Sequence, residues 1–404
     1  MNTGDTAFML VATAMVMLMT PGLALFYGGM VRSKNVLATI MQSFICLGIV
    51  SILWVAFGYS MAFGPDVKGL IGNLDWAGLK GVGTTPGPYS ATIPHLLFCA
   101  FQLMFAVITP ALITGAFAER IKFTAFLAFT VLWTTLVYFP ICHWVWGGGW
   151  VSSHGGLDFA GGTVIHINSG AAALVAALMI GKRQGWGREP FHPHNLGMTL
   201  LGAGILWFGW FGFNAGSALS AGEIATVAFF ATQVASGAAA LSWIVMEWLT
   251  QGKPTTLGAA SGAIAGLVAI TPASGFVSPG SAIIIGLVAG ALCYFAVLQK
   301  SKLGYDDALD VVGVHGVGGF WGALATGIFA STAINPGGKD GLLAGNPALL
   351  GIQAMDAITT IVYSMVVTYI ILKGIDIFIG LRVNKEDEIQ GLDLTQHSET
   401  GYSL

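Results

Sequence analysis

Residues 158–181 read DFAGGTVIHINSGAAALVAALMIG. From Gly161 to Gly181 the run holds no Asp, Glu, Lys or Arg and has the length a helix needs to cross the hydrocarbon core of a bilayer. Its polar residues do not alternate with apolar ones, so it is not a barrel strand, and a backbone in lipid must then be helical. Asp158 stands just before the run and His166 lies inside it. A histidine in hydrocarbon is expensive unless it meets a partner or a cavity. A matching stretch follows 149 residues later, where residues 311–319 read VVGVHGVGG around His315.

The same reading, carried outward, gives eleven transmembrane helices: 5–30, 36–60, 92–117, 123–143, 161–181, 195–215, 224–249, 257–273, 279–299, 312–333 and 351–373. The first resembles a signal peptide, but no Lys or Arg precedes it, so it is expected to stay as a span. His166 and His315 then fall on the fifth helix of each of two halves, about 5–181 and 195–333. Glycine-rich ends recur on helices one (Phe26-Tyr27-Gly28-Gly29) and six (Phe211 to Gly216). Five is odd, so helices 6–10 would repeat helices 1–5 upside down, as in many transporters. Helix 11 would be peripheral. The membrane domain is 1–373, and residues 374–404 form a polar tail, either loose or docked.

Composition and charge agree. Only 9% of the 404 residues are charged and 55% are hydrophobic, against about 25% charged in a soluble domain. The expected class is an all-α polytopic membrane protein. Thirteen of the 16 basic residues fall in loops of one side or on the tail. That asymmetry puts the N-terminus outside and the C-terminus in the cytoplasm. A net charge of −3 offers no surface for nucleic acid. Cys46, Cys99, Cys142 and Cys293 are scattered singly, so neither a metal site nor a disulfide framework is indicated, and no cofactor is implied.

An inverted two-fold brings equivalent places together near the bilayer midplane, so His166 and His315 are expected to face each other. Burial would keep both neutral. Such a pair shares one N–H···N bond and leaves each outer nitrogen to meet something passing. Asp158, eight residues before His166, is too far along the helix to touch it. It has two compatible readings, a cap for the helix start and an anion that attracts a cation. Gly258, Gly262 and Gly266, with Gly286 and Gly290, have the spacing of close helix packing; lining a narrow channel is the other use. Trp146 stands before Gly147-Gly148-Gly149, where with Phe105 and Ser217 it could offer a π-face and a hydroxyl to a small cation.

Long segments of the chain closely resemble the ammonium transporter (Amt/MEP/Rh) family, above all its bacterial Amt members. They are Phe26 to Arg32, Ala118-Glu119-Arg120, Trp146 to Gly149, Asp158 to Gly170, Trp207 to Ser217, Asp310-Val311 and His315-Gly316. The resemblance implies an eleven-helix protomer in a homotrimer within the bacterial cytoplasmic (inner) membrane, serving nitrogen utilisation. It places the outer ammonium site at Phe105, Trp146 and Ser217, with Asp158 close by. Phe105 and Phe213 match a stacked pair that closes the outer vestibule, with Phe101 and Trp210 near them. His166 and His315 match the twin histidines of the pore, and Thr271 a threonine of the inner path. Gly380-Leu381-Arg382, Gly391-Leu392-Asp393 and His397 resemble a C-terminal arm that helps receive a PII-type regulatory protein.

The expected function is transport of ammonium or ammonia, with methylammonium as an analogue. NH₄⁺ is captured outside and deprotonated, and ammonia passes a hydrophobic channel along the histidines; the proton either leaves outward, giving net ammonia flux, or travels through the histidine pair with net movement of charge, and the second is the expected case. The alternative is an ammonium receptor signalling through its tail. An enzyme is not expected, because no nucleophile or third metal ligand accompanies the two histidines.

Overall fold

The structure, a computed structural model, describes residues 1–402. Its apolar helices in chain order are α1 (Thr3–Met30), α2 (Ser33–Phe63), α3 (His95–Phe117), α4 (Phe123–His154), α5 (Gly162–Ile180) and α6 (Leu196–Gly216). They continue with α7 (Glu223–Gln251), α8 (Thr256–Ile270), α9 (Pro279–Leu303), α10 (Val312–Phe329) and α11 (Pro347–Phe378). Ten of these are long and apolar enough to cross a membrane; α8, also apolar, has 15 residues. The chain is therefore an all-α, multi-pass membrane protein.

Helix ends follow local chemistry. Asn2 starts α1 by accepting the N–H groups of Gly4 and Asp5 at 2.8 and 3.1 Å. The expected 257–273 is shorter in the structure: past Ile270 the N–H groups of Thr271 and Ala273 reach only three residues back, and Pro272 between them has no N–H to give. The expected start at 92 is also moved, because Ser90–Pro94 is a strand, paired with Pro86–Gly87. With the hairpin Asp66–Val67/Ile71–Gly72 it turns residues 64–94 into a folded cap. At the other end α11 runs through Phe378, beyond the expected 373, since a helix is free to continue out of lipid.

Small residues let the helices approach. A Cβ on Gly202 of α6 would strike the backbone of Phe26 and Gly22 in α1, and one on Gly212 would strike Ala12. Gly266 and Gly286, from α8 and α9, both press on the carbonyl of Ala235 in α7. Of the two uses expected for these glycines, close packing is the one seen.

The tail is docked. Its helices α12 (Lys385–Gln390) and α13 (Leu392–His397) lie against residues 31–35, 118–122 and 181–184. The N–H of Val383 donates to Arg120 O at 3.1 Å, that of Leu392 to Asn35 Oδ1 at 2.8 Å, and that of Gln184 to Glu388 Oε1 at 2.6 Å. Beneath them the buried Glu119 carboxylate joins Arg32 at 2.9 Å and Arg183 at 3.3 Å, and Arg183 also pairs with Asp306 at 2.8 Å. Burial pushes the Glu119 carboxyl up, but the Arg183 and Arg32 guanidiniums outweigh it and hold it below the usual range. Asn2, by contrast, bonds to Thr92 O at 2.6 Å, at the opposite end of α3 from Arg120.

Candidate functional site

The site is built where α5 and α10 cross. Each histidine lies in a wide π-helical turn, Gly162–Ile167 around His166 and Val312–Gly316 around His315. The crossing needs glycine: a Cβ on Gly170 would meet the backbone of Gly316, and one on Gly319 would meet Ile167 N at 3.0 Å. Gly319 stands to Gly170 as Gly316 stands to Ile167, 149 residues on, so these are two copies of one contact. The imidazoles face each other as expected, with Nδ1···Nδ1 at 3.1 Å and ring centres 5.2 Å apart.

That geometry limits the protons. Two Nδ1–H groups cannot point at one another, so at most one of the facing nitrogens carries hydrogen. The pair therefore holds two ring hydrogens when neutral and three with one added proton, and never four. His166 Nε2 is buried and has no hydrogen-bond partner. The His166 side chain borders a cavity of about 10 Å³ shared with His315, Trp210, Phe213, Ile108 and Leu206. That is room for one water-sized molecule, and the wall is otherwise apolar.

A second, outer cavity of about 230 Å³ holds Trp146, Asp158, Ser217 and Gln102 among aromatic neighbours including Phe159 and Phe276. Trp146 ends the first part of α4, and its Nε1–H donates to Asp158 O at 2.8 Å. Ser217 donates to Phe213 O at 2.8 Å, which leaves its oxygen lone pairs free. Phe105 stands between the two cavities, its ring 5.8 Å from Trp146 and 4.4 Å from Phe213. The Phe105 and Phe213 rings are not stacked as expected but tilted by 47°, because each also packs on a neighbour, Phe101 at 4.8 Å and Trp210 at 5.4 Å.

Asp158 is the cap. Its Oδ1 accepts the N–H groups of Gly161 and Gly162 at 2.8 and 2.7 Å, and Oδ2 those of Thr163 and Val164 at 2.7 and 3.1 Å. Gly161, at φ +117°, makes the turn into this cap. Both oxygens are thus occupied by backbone. Two expected pore residues stand behind the wall. Phe101 is fully buried against Phe105, and Thr271 accepts Trp210 Nε1–H at 2.8 Å while donating to Leu267 O. Thr271 fixes the tryptophan and borders neither cavity.

Two residues were not singled out from sequence. Asp307 lies eight before His315, as Asp158 does before His166, and its Oδ2 accepts Val312 N–H at 2.7 Å; the 149-residue offset was the signal. Gln102 sits in an apolar run between Phe101 and Phe105, where nothing marked it.

The chain was compared with known proteins. The model of the Ammonium Transporter Family matches residues 7–402. The chain is 56% identical to an ammonium transporter of Bacillus subtilis over 403 residues, covering 100% of this chain and 99% of that one. It is 48% identical to the ammonium transporter Amt1 of Archaeoglobus fulgidus, covering 100% of each. The crystal structure of Saccharomyces cerevisiae Mep2 superposes with a TM-score of 0.90 at 37% identity, covering 96% of this chain and 89% of that one.

Proposed function

The chain belongs to the ammonium transporter family, and we propose a route and a mechanism for the ammonium it carries. It is a transporter, not an enzyme: ammonium or ammonia crosses the membrane through a narrow hydrophobic pore. The observation that carries the mechanism is the pair of cavities, one aromatic and open, one narrow and histidine-lined, with the rings of Phe105 and Phe213 between them.

NH₄⁺ enters the outer cavity and is held by the faces of Trp146 and Phe105 and the oxygen of Ser217. A cation over a desolvated aromatic face gains about 2 kcal/mol. Asp158 supports this site by fixing Trp146 and by its charge, not as a direct ligand. The narrow cavity beyond offers two imidazoles and otherwise apolar walls, too few ligands to replace the ion's water, and a bare ion there costs many kcal/mol. Potassium has no remedy. At the ring pair ammonium passes a proton to the unprotonated outer nitrogen of the histidine pair, which goes from two ring hydrogens to three, and neutral ammonia moves on past Phe213, Trp210, His166 and His315. The proton follows through the histidine pair, which has room for one, so transport moves charge.

The chain crosses the membrane eleven times with α8 included. Its N-terminus is outside and its tail in the cytoplasm, which the gathering of basic residues on the tail face supports. Helices α1–α5 and α6–α10 are an inverted repeat, supported by the duplicated Gly170 and Gly319 contacts, and α11 is peripheral. Residues 1–373 form the transport domain and 374–404 the regulatory tail. We place the protein as a homotrimer in the bacterial cytoplasmic membrane, its docked tail offered to a PII-type regulator.

The test is uptake of isotopically labelled ammonium into proteoliposomes against excess potassium. Uptake that potassium leaves unchanged supports the mechanism; competition in proportion to potassium concentration refutes it. Uptake that persists after removal of residues 380–404 argues against a receptor with little flux.

A further inference from the structure

Five of the 16 basic residues border one cleft on the tail face. It is an open cavity of about 590 Å³ walled by three segments: Arg32 and Lys34 at the turn into α2, the loop after α5 from Lys182 to Glu189, and Glu388 and Ile389 of the tail. The gathering of basic residues on one side of a membrane protein explains their presence in such segments. It does not explain why they face a single cavity.

Each charge can be followed to its partner. Arg32 and Arg183 both pair with Glu119, Arg183 also pairs with Asp306, and both guanidiniums lie over the Phe191 ring, at 4.8 and 4.3 Å. Glu388 is taken by Arg382 at 2.7 Å. Lys34 Nζ meets only the carbonyls of Glu388 and Ile389. Lys182 Nζ rests on the Trp186 ring at 4.2 Å, and Arg188 is exposed. Among the described residues, no carboxylate lies within 4.0 Å of these last three cations, and no cation lies that near Glu189. The cleft is left with three uncompensated cations against one anion, an excess of two positive charges in a chain of net charge −3.

We propose that this cleft binds a phosphate monoester, whether a dissolved ester or a lipid headgroup. Such a group carries a charge of about −1.5 to −2 at neutral pH and three strong acceptor oxygens, which matches the excess. Its oxygens can be met from several sides at once, by two lysines as point charges and by the fork of Arg188. The cavity also has the size of a small-molecule site. Lys34, Lys182 and Arg188 border neither the outer nor the histidine cavity, so the site is separate from the ammonium path.

The experiment follows thermal melting of the full-length protein. In uncharged detergent, inorganic phosphate replaces chloride at constant ionic strength; in phosphatidylcholine nanodiscs, phosphatidic acid is present or absent. A ligand of the folded state raises the melting temperature in a saturable way, unlike the general stabilisation that phosphate gives by exclusion from protein surfaces. Three variants accompany the wild type: Lys182→Gln/Arg188→Gln, the charge-keeping Lys182→Arg/Arg188→Lys, and Lys253→Gln, whose charge lies outside the cleft. The ligand concentration at half the shift is expected to rise about twenty-five-fold in the double glutamine variant, about fivefold for each charge removed, and to change less than about twofold in the other two.

A saturable response to phosphate in detergent supports the proposal and assigns the site to dissolved esters, whereas a response to phosphatidic acid alone supports it and assigns the site to headgroups. A wild type that responds to neither overturns the proposal. So does a double glutamine variant that responds as the wild type does, or an equal loss in Lys253→Gln or in the charge-keeping variant. The exposed positions of Lys182 and Arg188 leave folding intact, and the shift is read against each variant's own ligand-free curve.

Discussion

Asp158→Asn separates two roles that a buried carboxylate at a cation path could play. The wild-type group accepts four backbone N–H groups, two on each oxygen, at 2.7 to 3.1 Å. Asparagine keeps one oxygen for Gly161 and Gly162 but turns an NH₂ toward Thr163 and Val164. Each buried amide left unpaired costs about 1–3 kcal/mol, so two cost about 2–6 kcal/mol. The cost falls on the turn that carries His166 and on the carbonyl that orients Trp146. The variant is therefore expected to lose most of its transport and to melt at a lower temperature in detergent, with the loss mainly in maximal rate. The assay is labelled methylammonium uptake beside a thermal unfolding curve. Unchanged melting, with only a higher half-saturating concentration, would mean a direct cation ligand and would refute the capping argument.

Three further outcomes are expected. Burial raises the Asp307 carboxyl to about 6, with Lys300 lowering it and Asp310 raising it. A raised folded value means stability present below about pH 4 and lost as pH climbs through 6, about 3 kcal/mol in all. Asp307→Asn should gain on the wild type over that window in melting curves, and parallel curves would count against it. Glu119→Gln leaves Arg32 and Arg183 facing a neutral group and should cost about 3 kcal/mol, read as a lower melting temperature; an unchanged one would show the cluster to be hydrated rather than buried. Phe105→Ala joins the two cavities, so potassium should begin to inhibit ammonium uptake, and continued indifference to potassium would place the selective step elsewhere.

Much of this was legible in the chain because membranes make sequences simple. A run such as 161–181 leaves no choice but a helix, and the 149-residue spacing of His166 and His315 places both at one crossing. The resemblance then named Trp146, Phe105 and Ser217. What stayed hidden depends on side-chain direction. Thr271 is polar and close to the path, yet its hydroxyl is turned onto Trp210. Phe105 and Phe213 tilt because Phe101 and Trp210 crowd them. The tail, loose or docked by composition, is settled by Leu392 and Asn35, 357 residues apart in sequence.

The decisive measurement records current and nitrogen uptake together, in one set of proteoliposomes under an inward ammonium gradient. Proton loss at the rings with relay through the His166–His315 pair gives one elementary charge for each nitrogen carried and none for potassium. Uptake without current, or a potassium current of comparable size, would contradict it.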